Sequence, residues 1–178
     1  MKKLLFPAVL VIIMFSSAFT FFVSQNWAIG QDFAVKFSDK NATGSFSDLK
    51  GTVIFDEANP SVARFDVTID VNSINTGNWL KNRHAKSDKW FDAGKYPVIH
   101  FSSSNVTKSG SAYLATGELE LHGVKKQIAI PFTFHNNSSK GEFKSTFKIN
   151  RADFGIGEKK GNESDITTLD ITVPVHSK

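Results

Sequence analysis

From Phe33 onward, hydrophobic and polar residues alternate with a period of two, which is typical of half-buried β-strands. The run from Arg64 to Val71 shows this most clearly, because charged or polar residues and hydrophobic ones take turns. Short links with turn-forming residues separate the runs, which favours antiparallel neighbours. We count about eight runs, which span residues 33–37, 53–55, 65–71, 99–103, 113–121, 128–134, 143–149 and 169–175.

Residues 75–97 interrupt this alternation. The stretch from Asn78 to Trp90 indicates one or two short helices, with Asn78 as the N-cap and with Gly94 and Pro97 as end signals. The chain shows no regular alternation of strands with helices. The pattern therefore predicts an all-β sandwich or barrel with one short helical insertion, which we expect to lie across one end of the strands.

The first residues are typical of a secretory signal peptide. Met1-Lys2-Lys3 precedes an apolar run from Leu4 to Phe15, and the small residues Ser16-Ser17-Ala18 favour cleavage after Ala18. We therefore predict a signal peptide over residues 1–18, with the cleavage site somewhere between residues 18 and 30. Cleavage near residue 30 is disfavoured because it would remove Trp27 and Ile29, which begin the first predicted strand.

A retained membrane anchor is the alternative, since apolar residues continue to Val23 and give roughly 20 residues, enough to span a bilayer. Both interpretations place the domain outside the cytoplasm, either in the periplasm or secreted.

Composition narrows the function classes. A length of 178 residues fits one domain, and 17 phenylalanines supply a core or a greasy cavity. The absence of cysteine excludes a disulfide framework, a cysteine nucleophile and a lipid-modified N-terminal cysteine. The net charge is +4, and the basic residues are scattered apart from two short runs, Lys81 to Lys86 and Lys159-Lys160. Neither run is long enough for a nucleic-acid surface, so we expect no nucleic-acid partner. Histidine spacing gives no support for a metal site.

Several motifs in order along the chain resemble the YceI-like family of lipid- and polyisoprenoid-binding proteins. Each is weak alone, and their order makes the resemblance specific. They cover roughly residues 27–175 and lie at Gly44-Ser-Phe46, Leu49-Lys-Gly51, Ser73 to Asn78, Arg83-His84, Trp90-Phe91-Asp92, Lys95 to Phe101, Gly117 to Val124 and Ile149 to Ile156. The chain departs from the family pattern at Asn82, Ala85, Trp90 and residues 30–33.

The resemblance implies an eight-stranded antiparallel lipocalin-like barrel over residues 27–177, a periplasmic or secreted location, and an isoprenoid or other amphiphilic lipid as ligand. It implies no cofactor beyond such a bound lipid or quinone. The oligomeric state stays open, with a homodimer as one alternative.

A barrel of eight strands is just wide enough to be filled by side chains or to hold one slender ligand. Small residues such as Ala115, Gly117 and Ser145 share predicted inward faces with large ones, so a filled core is the alternative to a channel. We expect Phe at position 115 or 117 to block the channel in a folded barrel. The predicted ligand-binding residues are Phe46, Trp79, His84, Trp90, Phe91, Phe101, Ala115, Gly117, Phe132, Phe147, Arg151 and Phe154.

The polar candidates have structural alternatives. His84 either bonds a head group or ties the insertion to the barrel. Arg151 either meets a phosphate or pairs with Asp92 or Asp153. Trp79 and its aromatic neighbours either line the mouth or anchor the insertion.

Three functions follow from these observations. The first is an exported carrier that holds an isoprenoid or similar lipid, without catalysis. The second is a stress-induced structural or interaction protein with a filled core and no ligand. The third is a hydrolase that uses His84 with Ser87 and with Asp88 or Asp92, which is disfavoured because these residues lack a nucleophile turn motif.

Overall fold

The computed structural model describes residues 25–178. The predicted signal peptide and its cleavage site after Ala18 lie outside the described residues. Among the described residues, no helix combines the length and the apolar character needed to cross a bilayer.

Strands dominate residues 25–178, as the period-two pattern predicts. Their bounds are β1 (Asn26–Ile29), β2 (Ala34–Ser38), β3 (Thr43–Phe46), β4 (Leu49–Ile54), β5 (Arg64–Asp70), β6 (Ile74–Asn75), β7 (Val98–Ser109), β8 (Ala112–Leu121), β9 (Val124–Asn137), β10 (Lys140–Asn150) and β11 (Ile166–Ser177).

Within this part of the chain, eight strands close into a ring. The order is β1-β4-β5-β7-β8-β9-β10-β11, and β1 pairs again with β11 through Trp27↔Ser177 and Ile29↔Val175. Every pairing is antiparallel. Three short strands extend the sheet from the first half of β11. Strand β2 pairs with residues 168–172 of β11, β3 pairs with β2, and β6 pairs with β3. The predicted eight-stranded antiparallel barrel is confirmed.

Strand β8 shows how the alternation gives the barrel an apolar inner face. Tyr113, Ala115, Gly117, Leu119 and Leu121 are buried, while the residues between them are half-buried. Since successive side chains of a strand point to opposite faces, the hydrophobic set shares the interior.

Gly117 lies at an inward position of β8, but the space next to its Cα is occupied by the β7 backbone and does not belong to the lumen. A Cβ at this position would lie 2.2 Å from the backbone oxygen of Ser102 and 2.6 Å from Cα of Ser103. The ladder between β7 and β8 shifts its register between Ser103 and Asn105, and this irregularity brings the β7 backbone close. The expectation that Phe at position 117 leaves a folded barrel is therefore wrong.

Aromatic rings fill one end of the barrel. The ring of Phe55 is completely buried and makes edge-to-face contacts with Tyr113, Phe132 and Phe134 at centroid distances of 4.9 to 5.4 Å. The indole N–H of Trp27 donates to the carbonyl of Phe55 over 2.9 Å. We call this group the aromatic plug: Trp27, Phe55, Tyr113, Phe132, Phe134 and Phe143.

The wall is least complete between β9 and β10. Their pairing runs only from Lys140↔Asn137 to Lys144↔Thr133, although β10 pairs with β11 along its whole length. Pro131 lies just past the last pair and has no N–H to donate to the ladder. The hydroxyl of Ser145 donates to its carbonyl instead. The two strands thus separate towards the end opposite the aromatic plug.

The insertion contains α1 (Trp79–Ala85), the one α-helix among residues 25–178. Asn78 caps it as predicted, with its side-chain oxygen accepting from the N–H groups of Leu80 and Lys81. The helix is shorter than predicted, since turns replace it after Ala85, well before Gly94. The Asn82 side chain accepts from the backbone N–H and the hydroxyl of Thr76, both over 2.7 Å, and so ties α1 to the segment after β6.

Candidate ligand-binding cavity

The barrel interior is hollow between the aromatic plug and α1. The cavity has a volume of about 450 Å³, and its wall is almost entirely apolar. Aliphatic side chains from all around the barrel line it, among them Val35, Leu49, Ile69, Ile99, Leu119 and Ile171.

A space of this size is unlike an ordinary packing defect. Protein interiors pack as densely as organic crystals, with few voids larger than one water molecule. The cavity would take on the order of ten water molecules, and its apolar wall offers them few hydrogen bonds. The filled-core alternative therefore describes only the plugged end of the barrel.

Most of the predicted ligand-binding residues border this cavity. They come from β3, the insertion, the inner faces of β7 to β10 and the turn after β10. Those that line it are Phe46, His84, Trp90, Phe91, Phe101, Ala115, Phe132, Phe147 and Arg151.

Trp79, Gly117 and Phe154 do not line the cavity. Trp79 is 73% exposed on the outer side of α1. Phe154 is buried in the wall, where Lys126 lies 5.8 Å from its ring centroid and its carbonyl is 3.0 Å from Nδ1 of His122. Gly117 packs against the β7 backbone, as described above.

The insertion closes over the cavity through Phe91. Its ring meets that of Phe46 edge to face, with centroids 6.0 Å apart, and it packs against both hydrophobic clusters of the barrel. Phe91 therefore both anchors the insertion and lines the cavity, which unites the two alternatives that the sequence leaves open.

A chain of polar contacts borders the mouth next to α1. The indole N–H of Trp90 donates to Nε2 of His84 over 2.6 Å. On the other side, the guanidinium carbon of Arg151 lies 5.3 Å from the Trp90 ring centroid. His84 thus ties two parts of the insertion together while it borders the cavity.

Arg151 is the most buried of these polar residues, with 6% of its surface exposed. Its Nη2 donates to Oδ1 of Asp165 over 2.8 Å, and Nη1 donates to the carbonyl of Ile156. The predicted pairing with Asp92 or Asp153 is wrong, and Asp153 instead lies 3.7 Å from Nζ of Lys126. Within residues 25–178, Nε of Arg151 has no hydrogen-bond partner.

Asp165 is held as an anion although it is buried. Burial alone would raise the pKa of its carboxyl, but the N–H groups of Gly161 and Lys160 donate to it, and the charge of Arg151 lies close. Together these contacts hold the pKa of Asp165 below its ordinary value. Arg151 therefore faces the cavity with its charge already balanced.

The predicted hydrolase group does not form a nucleophile–base pair. The Ser87 hydroxyl donates to the backbone carbonyl of His84 over 2.7 Å, and the His84 imidazole accepts from Trp90 instead. A serine nucleophile needs its hydroxyl hydrogen-bonded to the base.

In the part of the chain that the structure describes, no cluster of three or more His, Cys, Asp or Glu side chains is arranged to hold a metal ion.

Sequence reasoning missed Asp165 and the rim of the mouth. Asp165 lies in a loop without periodicity, so no local pattern marks it. Beyond Trp90 and Arg151, a shallow outer pocket continues the mouth and is bordered by Lys40, Asn41, Lys89, Gly157 and Lys160. The aliphatic lining was detectable in principle, because it occupies the inward register of predicted strands.

Comparison with known proteins agrees with this architecture. Residues 20–176 match the family model of the YceI-like domain. The protein YceI of Salmonella arizonae is 32% identical to this chain over 136 residues, which cover 73% of this chain and 71% of that protein.

Two solved structures share the barrel. Burkholderia cenocepacia BcnA aligns with a TM-score of 0.76 and 27% identity, over 80% of this chain and 95% of that chain. A polyisoprenoid-binding domain from Saccharophagus degradans aligns with a TM-score of 0.62 over 85% of this chain and 98% of that chain. At 17% identity, the second likeness shows the fold alone.

Proposed function

This chain belongs to the YceI-like family, and on that premise we propose that it is a lipid carrier that holds the apolar chain of an isoprenoid or similar amphiphile inside its barrel. The observation that carries the proposal is the apolar cavity of about 450 Å³, plugged at one end and bordered by polar groups at the other. An amphiphile matches this arrangement, because it runs from an oily tail to a polar head.

Burial of the tail supplies the affinity. Each buried CH₂ group contributes about 0.8 kcal/mol, so a five-carbon isoprene unit gains roughly 3 to 4 kcal/mol when it leaves water. The side chains around the cavity are already ordered by the closed barrel, which lowers the entropy cost of binding. The aromatic plug sets how deep the tail can reach, because Phe132 and Phe143 belong both to the plug and to the cavity wall.

The buried Nε–H of Arg151 favours a ligand whose head group accepts a hydrogen bond. Its Nε is buried and without a protein partner, and a buried donor gains from any acceptor that reaches it. Asp165 already balances the Arg151 charge, which favours an uncharged acceptor such as a hydroxyl or carbonyl oxygen at this depth. The fold shared with a polyisoprenoid-binding domain makes an isoprenoid the first ligand to test.

The barrel is also proposed to work outside the cytoplasm. The signal-like pattern of residues 1–18 supports this. Expression of the full chain in a bacterium, followed by mass measurement of the periplasmic protein, tests the location and the cleavage site together.

The carrier proposal is tested by mass spectrometry of the purified protein under native conditions and of its organic extract. We expect a lipid to remain bound and to appear in the extract. Stripped protein should then take up farnesol, an isoprenoid alcohol, in preference to palmitate, whose carboxylate meets the Arg151–Asp165 pair.

Protein without lipid in the extract, which also fails to take up either probe after stripping, would contradict the carrier proposal. Equal uptake of farnesol and palmitate would contradict the uncharged-head part alone.

A further inference from the structure

The outer side of α1 presents two large hydrophobic side chains to solvent. Trp79 is 73% exposed and the adjacent Leu80 is 57% exposed. Both stand in the first turn of the helix, and neither contributes to the cavity. Contiguous exposed apolar side chains rimmed by polar residues mark sites of protein or membrane contact.

Basic residues lie close to this pair along the chain, and Arg83 and Lys86 share its outer groove. Lys81, Arg83, Lys86 and Lys89 follow within ten positions, whereas Asp88 is the acidic residue of that stretch. Among residues 25–178, no carboxylate lies within 4.0 Å of the charged atoms of these four side chains. Their charges are therefore free to meet an anionic partner. We call residues 79–89 the α1 surface.

The α1 surface is continuous with the mouth of the barrel. His84 borders both the cavity and the shallow groove that Trp79, Leu80 and Arg83 form on the outside of α1. Lys81 also reaches the cavity wall. A flat partner seated on Trp79 and Leu80 would thus lie next to the opening of the cavity.

From this arrangement we infer that the α1 surface docks the protein onto an anionic lipid bilayer. Tryptophan favours the membrane–water interface, where its ring is buried and its N–H stays hydrated, and leucine inserts beside it. The basic side chains meet anionic head groups at the same level. Two exposed apolar side chains on a helix of seven residues suit a shallow, reversible membrane contact better than a stable protein–protein interface, which buries about 800 Å² on each partner.

This inference extends the proposed carrier function, because docking brings the cavity mouth to the membrane in which an amphiphile resides. Membrane contact itself does not require a loaded cavity, so the two proposals fail separately.

The test is co-sedimentation of the purified protein with vesicles of phosphatidylcholine alone and of phosphatidylcholine mixed with phosphatidylglycerol. We expect binding to the mixed vesicles, weakened at high salt. The double variant Trp79→Ala with Leu80→Ser should lower it by about tenfold, and Arg83→Glu with Lys86→Glu should lower it at least as much.

The matched control is Lys108→Glu with Lys140→Glu. It changes the net charge equally, but these exposed lysines lie near the hairpin turns at the plugged end, so binding should stay close to that of the parent. Lipid extracted from every variant should match the parent, since none of these residues lines the cavity. Parent protein that ignores mixed vesicles, α1 variants that still bind them fully, or an equal loss in the control would each overturn the inference.

Discussion

Arg151 and Asp165 form a nearly solvent-free ion pair at the mouth of the barrel, with 2.8 Å between Nη2 and Oδ1. Their side chains are 7% and 1% exposed, respectively. Arg151 directly follows β10 and Asp165 directly precedes β11, so the pair fastens the connection between two neighbouring strands. The same guanidinium also contacts the ring of Trp90, which couples this connection to the insertion that covers the cavity.

Breaking the pair from one side should destabilise the barrel. In Arg151→Met, the Asp165 carboxylate stays buried without its counter-charge, so we expect Tm to fall by about 10 °C in thermal unfolding followed by circular dichroism. The double variant Arg151→Met with Asp165→Asn removes the uncompensated charge and keeps an oxygen for the N–H groups of Lys160 and Gly161. It should recover part of the loss. A double variant less stable than Arg151→Met would show that charge compensation is not the cause.

The low pKa of Asp165 predicts a loss of stability in acid. Because its pKa is lower in the folded than in the unfolded chain, ionised Asp165 contributes stability that is fully present above the ordinary value of 3.8. This contribution is lost as the pH falls through the folded-state pKa. Urea unfolding should therefore show the parent more stable than Asp165→Asn at neutral pH, with the gap narrowing below about pH 4. A gap independent of pH would contradict the prediction.

Ala115→Phe should block lipid uptake while the barrel stays folded. Ala115 lines the cavity, so a phenyl ring there would occupy the space proposed for the tail. We expect uptake of farnesol to fall by about tenfold or more. Leu114→Phe on the same strand is the matched control, because Leu114 faces the other side of the sheet and should leave uptake unchanged. Full uptake by a folded Ala115→Phe variant would place the ligand elsewhere.

Gly117→Ala should be destabilising, in contrast to Ala115→Phe. The added methyl group would collide with the backbone of Ser102, which cannot move aside as a side chain can, and we expect a cost of about 1–3 kcal/mol in the free energy of unfolding. Gly94→Ala is the control, because no heavy atom lies within 4 Å of a Cβ there. Chemical unfolding that gives both variants the same stability would argue against the close approach of β7 to β8.

Much of the fold was readable from local patterns. The alternation along residues 64–71 and 113–121 fixes which face of each strand is buried, because a shift of one residue would expose the whole hydrophobic set. The capping role of Asn78 was equally local, since an N-cap contacts only the next few residues. The length of α1 was not, because the turns after Ala85 are shaped by packing against the barrel.

Only some of the residues around the cavity could be predicted from the sequence. The inward residues Ala115 and Phe147 were identified as ligand-binding candidates from their strand register and the family resemblance. Trp79 was placed at the mouth because it is aromatic, yet α1 turns it to solvent. The insertion is held in this orientation by the contact of Phe91 with Phe46 of β3 and by the hydrogen bond of Asn82 with Thr76.

The sequence by itself determined an all-β fold of antiparallel strands with a helical insertion, because strand period, turn residues and short links are all local properties. The choice of a closed barrel over a sandwich came from the family resemblance. Only the tertiary structure decided that one end is plugged by aromatic rings while the other is hollow, that β7 takes the space at Gly117, and that Arg151 pairs with Asp165. These features depend on the volumes and distances of side chains brought together from remote positions. Their packing is therefore defined only once the strands are paired in the barrel.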